Sequence, residues 1–531
     1  VNPDFGQVEA DPAVLNLSVF ETFFPEKRPF FLEDSRTFVL PYNRMPDFYS
    51  RRIGHAPGRF ALEDNEELVS KPDNTTIIGA SKLTGKASGW TYGALTALTA
   101  REYATIDTTT TDAAGNDVVT RGEKLVEPMT GYNVGRLQRD ILHGSSNVGA
   151  IVTAVVREKD ADAFTGGGDY NFRWGSNRYT WNGHWVGTRA PIDGKVKSGF
   201  GGVTNVGYGG KYLGVNGHFD HFGSTFRNTD LGFLNARTNQ NDLDGNINVA
   251  SPDPRGIFRN TNFGVYGGRQ WTDQGLVFGK WLGANANLSF RNFWFAYFNA
   301  QRNFERLDDL DTRGGPPIVQ PAGFNASGGF STDSRKRWVA GFNTSGGRSV
   351  DRSWSMTVGP YARAQPTSAL QVFLNADYTS ASDAAQWVEN TDADGDGVED
   401  NVYGRLKRNV LNIAVRANYA FSRTMTLEAF LQPFVAVGDY SDIRKLARPS
   451  SFDFSPVTID SDPDFNRKSL RGTMVFRWEY MPGSTLFVVW NRATSDTSRP
   501  GVFSPARDLG GAFGASGTNV LAVKLNYWFA P

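Results

Sequence analysis

The sharpest local motif is "NTDADGDGVED" at residues 390–400. Asp392, Asp394 and Asp396 occupy alternate positions of a D-x-D-x-D-G run. Gly397 permits a tight turn, Val398 can offer a carbonyl oxygen, and Asp400 falls at the ninth position. Hard Ca2+ takes about six to eight oxygen ligands, and carboxylates at alternate positions of a curled loop supply them. The closing Glu of an EF-hand is missing, because Tyr403 stands at position twelve, so the run is closer to the shorter extracellular calcium loops. Two readings stand at this point: a weak Ca2+ site that stiffens a loop, or a solvated acidic loop tip.

Other residues capable of chemistry do not form a catalytic pattern. The chain has five histidines and no cysteine, which removes disulfides, thiolate metal sites and cysteine nucleophiles. His218 and His221 are three apart on an expected strand, so they point to opposite faces; that spacing would suit one face of a helix. "GFGGVTNVGYGG" (199–210) lacks the following helix of a phosphate loop, and "LTGKASG" (83–89) lacks its first glycine. "GASG" (514–517) has no strand-to-helix elbow. Asp308, Asp309 and Asp311 sit among many carboxylates and single out no acid–base pair. The expectation is that the protein is not an enzyme.

The elements that must carry these residues read as β-strands. Hydrophobic residues make up 39% of the chain and aromatics 13%, yet no apolar run approaches the ~18–20 residues of a membrane helix. The formal net charge is +0, which leaves no footprint for nucleic acid. In "LNIAVRANYAF" (411–421), Leu411, Ile413, Val415, Ala417, Tyr419 and Phe421 share one face, with Asn412, Arg416 and Asn418 on the other. "LQVFLNADYT" and "TMVFRWEY" alternate likewise, placing Asn375 and Asp377, and Arg477 and Glu479, opposite apolar rows. Arg136, Gln138 and Asp140 extend this set of inward polar candidates.

Connections alternate between short turns, such as 143–146 and 422–424, and long polar loops: 103–130, 223–237, 381–402, 441–466 and 495–517. Trp and Tyr gather near strand ends. Tracing the alternation yields 21 runs from 75–86 to 518–529, and "PDFYSRRIG" (46–54) is the candidate for one more upward strand. The expected fold is therefore all-β: a transmembrane antiparallel β-barrel of about 22 strands, within about 18–24, in a bacterial outer membrane.

"SVFETFFPEKRPFFLED" (18–34) fits neither a strand nor a helix. Its charges fall on both faces, and Pro25 and Pro29 keep it irregular, which is tolerable only where protein or water satisfies its backbone. The expectation is an N-terminal plug or lumen segment over 1–45, followed by a barrel over 46–531. Phe23, Phe24, Phe30 and Phe31 would pack on interior aromatics. Glu26, Arg28, Glu33, Arg51 and Arg52 would pair with a polar lumen that includes Arg416.

"NPDFGQVEADPAVLNLSVFETFFPEKRPFFLED" (2–34), "FYSRRIG" (48–54), "IIGASKLTGKASGW" (77–90) and "LDTRGGPP" (310–317) together resemble a family of bacterial outer-membrane proteins. Its members carry an N-terminal domain similar to family-9 carbohydrate-binding modules, followed by a barrel-forming domain of unknown function. The resemblance implies an upstream sugar-binding-like domain preceding this chain and brings no catalytic residues. The first residue, Val1, is consistent with a mature or trimmed product. The functional expectation is a channel, or the membrane-embedded component of nutrient uptake, with saccharides suggested by the resemblance alone. The alternative is a plugged structural barrel that anchors or docks a surface or periplasmic protein. Outer-membrane lipid is the expected surrounding in either case.

Overall fold

The computed structural model of the chain describes residues 11–112, 115–393, 395 and 397–528. Strands account for 62% of the chain and helices for 5%. One large antiparallel sheet of 22 strands dominates. Among the described residues no helix is long and apolar enough to cross a membrane, a fact that says nothing of strands that cross one.

One member of the sheet is only three residues long, Phe454–Pro456, and pairs with the end of the strand Met425–Leu446. The other 21 run nine residues or more and coincide with the alternating runs of the sequence. The proposed strand at 46–54 is absent: Ser50–Arg52 form a 3-10 turn. Arg51 and Arg52 spend their donors on carbonyl and carboxylate groups, and the stretch has no strand partner.

Several expected loops are ordered. Glu102–Thr111 and Asp117–Glu127 form a hairpin, joined by Glu66–Ser70 into a separate three-stranded sheet. The strands Leu370–Thr391 and Asp400–Ala420 extend through much of 381–402. Backbone pairing continues into these extensions, and Ala381, Ala384, Val402 and Tyr403 are buried there. Register shifts between Asp383 and Gln386 and between Trp387 and Glu389 break the period of two that marks a strand in the sequence. A helix, Pro505–Gly514, lies within 495–517.

The chain forms two compact units. The first comprises Phe20–Gly209 and Asn216–Leu243; the second comprises Gly210–Val215 and Asp244–Pro531, with residues 11–19 of the N-terminal segment. In the first unit, Trp90–Thr99 shows the strand period plainly. Leu95 and Ala97 are buried, whereas Trp90, Tyr92 and Leu98 are exposed. Ser146–Arg157 repeats it, with Ile151 and Val155 buried against Val148, Val152 and Val156 exposed.

The buried rows meet residues 28–53. Phe31, Phe38, Leu40, Met45 and Ile53 form one apolar cluster with Leu95, Val134, Ile151, Val186 and Phe222. The face of the sheet that receives the N-terminal segment is called the inner face below.

Candidate functional site: the N-terminal segment and the inner face

Pro29 occupies the first position of a single helical turn, Pro29–Leu32, where its missing N–H costs nothing. The turn directs Phe31 into the apolar cluster, where it is 3% exposed. Arg28, just before it, is buried and fully committed. It grips Glu26 through Nε and Nη2 at 2.9 and 2.8 Å. It also donates to the carbonyl oxygens of Ile53 and Ser50, both at 2.7 Å. Its guanidinium lies 4.3 Å from the centre of the Phe31 ring.

Glu26 accepts further hydrogen bonds from the Arg28 N–H at 2.8 Å and the Ser50 hydroxyl at 2.6 Å. Burial opposes its charge, but the bonds from Arg28 and Ser50 and the Arg28 charge outweigh that, and its pKa falls to about 2. The pair ties residues 26–28 to 50–53 as one buried knot.

The remaining plug candidates surround this knot. Phe23 packs between Tyr49 and Phe233, with both ring centroids at 5.0 Å. Phe24 binds Tyr49 through its backbone, accepting from the phenol at 2.7 Å. Phe30 meets Phe31 edge to face at 5.1 Å, and Lys82 donates to the carbonyl oxygens of Phe30 and Glu33. The Glu33 side chain is exposed. Arg51 binds the Pro25 carbonyl at 2.8 Å, and Arg52 binds Glu21 at 2.6 Å and the Gly232 carbonyl at 3.0 Å. The charged residues of the segment thus pair largely within it and with 49–53, because its two arms fold on each other before meeting the sheet. Phe31 packs on aliphatic rows as well as on aromatics.

The sheet is shaped to receive the segment. A Cβ on Gly93 would stand 2.8 Å from the Thr37 methyl and 3.0 Å from the Phe38 ring, so any larger residue there would push the segment away. Beneath it lie buried charges whose partners are far away in the chain. Arg136 pairs with Asp169 at 2.8 Å, with neither side chain exposed to any extent. His184, fully buried, faces the carbonyl oxygens of Pro41 and Met45 at 3.2 and 3.1 Å. Asp47 accepts from Asn228 at 3.1 Å and lies 3.8 Å from His184; burial raises its pKa. The available signal was a lone charged residue in an apolar row, as at Arg136 after Tyr132 and Val134.

The inner face of the second unit is different. Asn285 stands opposite Asn299 on the paired strand, with Gln301 two residues along from Asn299, and the Tyr266 hydroxyl lies within hydrogen-bonding distance of both Asn299 Oδ1 (3.0 Å) and Gln301 Oε1 (3.1 Å). Tyr297 donates to Asn343 at 3.2 Å, Gln432 to Asn412 at 2.8 Å, and Thr473 to Asn491 at 2.8 Å. Asn375 donates to Asp377 at 2.5 Å, and Arg477 pairs with Glu479 at 3.1 Å. Ala13 exchanges hydrogen bonds with Gln432, so residues 11–19 lie on this face. Arg416 stands on the same face with its guanidinium 4.7 Å from the centre of the Phe430 ring.

On the opposite face of both units large apolar side chains are exposed, including Phe164 and Val152 in the first and Phe298, Leu282 and Leu521 in the second. One surface thus offers amides, hydroxyls and charges, and the other offers apolar side chains.

A model for a domain of unknown function, DUF5916, matches residues 1–530. The chain belongs to the DUF5916 family. No curated protein matches its sequence. Membership establishes kinship over the whole chain and assigns no activity.

The acidic loop is accounted for in part. Asp394 and Asp396 lie outside the described residues. Asp392 accepts the backbone N–H groups of Gly395 and Gly397 at 2.8 and 3.0 Å, and Asp400 pairs with Lys445 at 3.0 Å. Among the described residues no cluster of His, Asp or Glu could hold a metal ion.

Proposed function

We propose that this DUF5916 chain is the wall of an outer-membrane β-barrel, which serves as a channel or as the membrane-embedded component of a nutrient-uptake system. The observation that carries the reading is inverted polarity. Charged pairs such as Arg136–Asp169 are buried on the inner face, while leucine, valine and phenylalanine rows are exposed on the other. A water-soluble sheet of this size would hide those rows, because a large exposed apolar surface drives association. Strands of nine residues or more suit a bilayer, which needs ~9–11 tilted residues. Exposed Trp90, Trp174, Tyr179, Trp338 and Trp354 stand at strand ends, where interfacial girdles belong.

Closure of the sheet is part of the proposal: an odd number of alternating long strands closes only through one parallel pair or an added strand. The half-buried amide rows of the second unit would line the aqueous path. Saccharides are the first solutes to test, on the strength of the family resemblance, and Ca2+ at the 392–400 loop would stiffen a loop without entering transport. The plug over 1–45 and barrel over 46–531, together with an upstream carbohydrate-binding-like domain, belong to the same reading.

The test is conductance. Purified protein that shifts in electrophoretic mobility on heating and passes current in planar bilayers supports the reading, and current that rises when residues 11–45 are deleted supports the plug. A water-soluble monomer without detergent overturns it. An inserted protein with no conductance, intact or truncated, favours the second reading, a plugged barrel that docks a surface or periplasmic protein. The dry, packed core between residues 28–53 and the first unit's strands favours that second reading.

A further inference from the structure

The inner face of the second unit holds a cavity of about 500 Å³, within the range of small-ligand sites. Its walls follow directly from register. Arg363 pairs across strands with Phe373, and Phe373 with Arg416, so two arginines flank one phenylalanine at the same level of three neighbouring strands. At ~4.8 Å per strand the arginine Cα positions stand about 10 Å apart, room for one small group above the ring. The next level holds Tyr361, Asn375 and Ala414. Gly341 makes room for the tyrosine, since a Cβ there would lie 2.1 Å from the ring. Asn343, Ser331 and Ser334 add polar groups to the lining.

The two cations are not neutralised. Arg363 donates through Nη2 to the carbonyl oxygens of Ser334 and Lys336, and its Nε has no acceptor. The Arg416 guanidinium rests on Phe430 and meets no acceptor among the described residues. Asp377, one level further along, is engaged by Asn375 at 2.5 Å. Guanidinium groups bind carboxylates through paired, charge-assisted hydrogen bonds, and a phenyl ring between them offers a flat apolar face.

We propose that this cavity binds a small organic carboxylate with a flat or ring-shaped body, its carboxylate held between Arg363 and Arg416 and its ring on Phe373, with Tyr361 alongside. The proposal deepens the transport reading, on which its physiological role rests, by naming a solute class for the same face.

The probe is benzoate, titrated calorimetrically into the full detergent-solubilised chain, with benzyl alcohol as its neutral counterpart. Benzoate binding at millimolar concentration, weakened about tenfold or more by Arg416→Gln and by Arg363→Gln, is the expected result, because each removes charge-assisted bonds. Arg416→Lys keeps the charge but loses the planar fork and should recover only part of the affinity. Heat-modifiable mobility identical to the parent's shows that a variant is folded. No benzoate binding by the folded parent chain, equal binding of benzyl alcohol, or unchanged affinity in the double Gln variant overturns the proposal. Failure of membrane insertion or conductance would instead strike the transport reading, so the two failures are separable.

Discussion

The two units use the same strand period and fill their inner faces in opposite ways. In the first, residues 28–53 cover the strands and bury Phe31, Phe38, Met45 and Ile53 against aliphatic rows. In the second, residues 11–19 touch the sheet at Gln432, amides and hydroxyls remain half-buried, and Arg416 is exposed. The difference follows from what each inner row offers. Leu95, Val134 and Ile151 gain by losing water, at roughly 25 cal/mol per Å² of apolar surface. Asn285, Asn299 and Gln301 would each lose about 1–3 kcal/mol if buried without a partner, so a dry cover there would be destabilising. An occluded surface and a solvated one can thus be written with the same strand period by changing alternate residues only.

The contrast can be broken most strongly at the buried knot. Arg28→Ala leaves the Glu26 carboxylate buried without its partner, and breaking such a pair costs about 3–5 kcal/mol. Hydrogen exchange should quicken over residues 20–54 while the second unit's strands keep their protection. Phe31→Ala removes a core ring at a comparable cost of about 3–5 kcal/mol. Its effect on exchange should also stay within the first unit.

Gly93→Val forces the Thr37 and Phe38 contacts apart, at about 1–3 kcal/mol. Limited proteolysis between residues 20 and 50 should then accelerate. Asn299→Ala, on the solvated face, removes one half-buried hydrogen bond and should cost about 0.5–1.5 kcal/mol, detectable as a small shift in thermal unfolding.

Acid and base should separate the units as well. Glu26, ordinarily near 4.5, has a folded pKa of about 2, so its contribution is present above 4.5 and fades as pH falls through 2. Asp311, in the 309–317 loop of the second unit, runs the other way. Burial and the neighbouring Asp308 charge raise its pKa to about 6, against hydrogen bonding from Tyr403 and the charges of Arg313 and Arg306. Its proton is held more tightly in the folded loop, so its contribution is fullest below 3.8 and is lost as pH rises through 6. Once the base-catalysed intrinsic rate is divided out, protection around 306–320 should fall between pH 4 and 7, and Asp311→Asn should remove that residual dependence.

Much of the sheet was legible because strand alternation is a local signal: all 21 long strands lie where apolar and polar residues alternate. The extensions 381–391 and 400–402 were not, since register shifts at Asp383/Gln386 and Trp387/Glu389 break the alternation while backbone pairing continues. Residues 46–54 misled because the strand count, and no local period, asked for one more upward strand there; Ser50–Arg52 form a 3-10 turn whose arginines find other acceptors. The segment around Glu26 and Arg28 was recognisable as non-strand from its prolines and charges. Its internal pairing was not, because Ser50 and Ile53 are more than twenty residues away in the chain.

The sequence alone determined the strand period, which face of each strand is apolar, and the irregular character of residues 18–34, since these depend on residues within a few positions of each other. Only tertiary structure decided that Arg28 closes on Glu26, Ser50 and Ile53, that His184 and Asp47 meet beneath residues 41–47, and that Arg363 and Arg416 flank Phe373. Those contacts depend on register between strands and on where an irregular segment comes to rest, and both are set by the summed packing of many distant side chains.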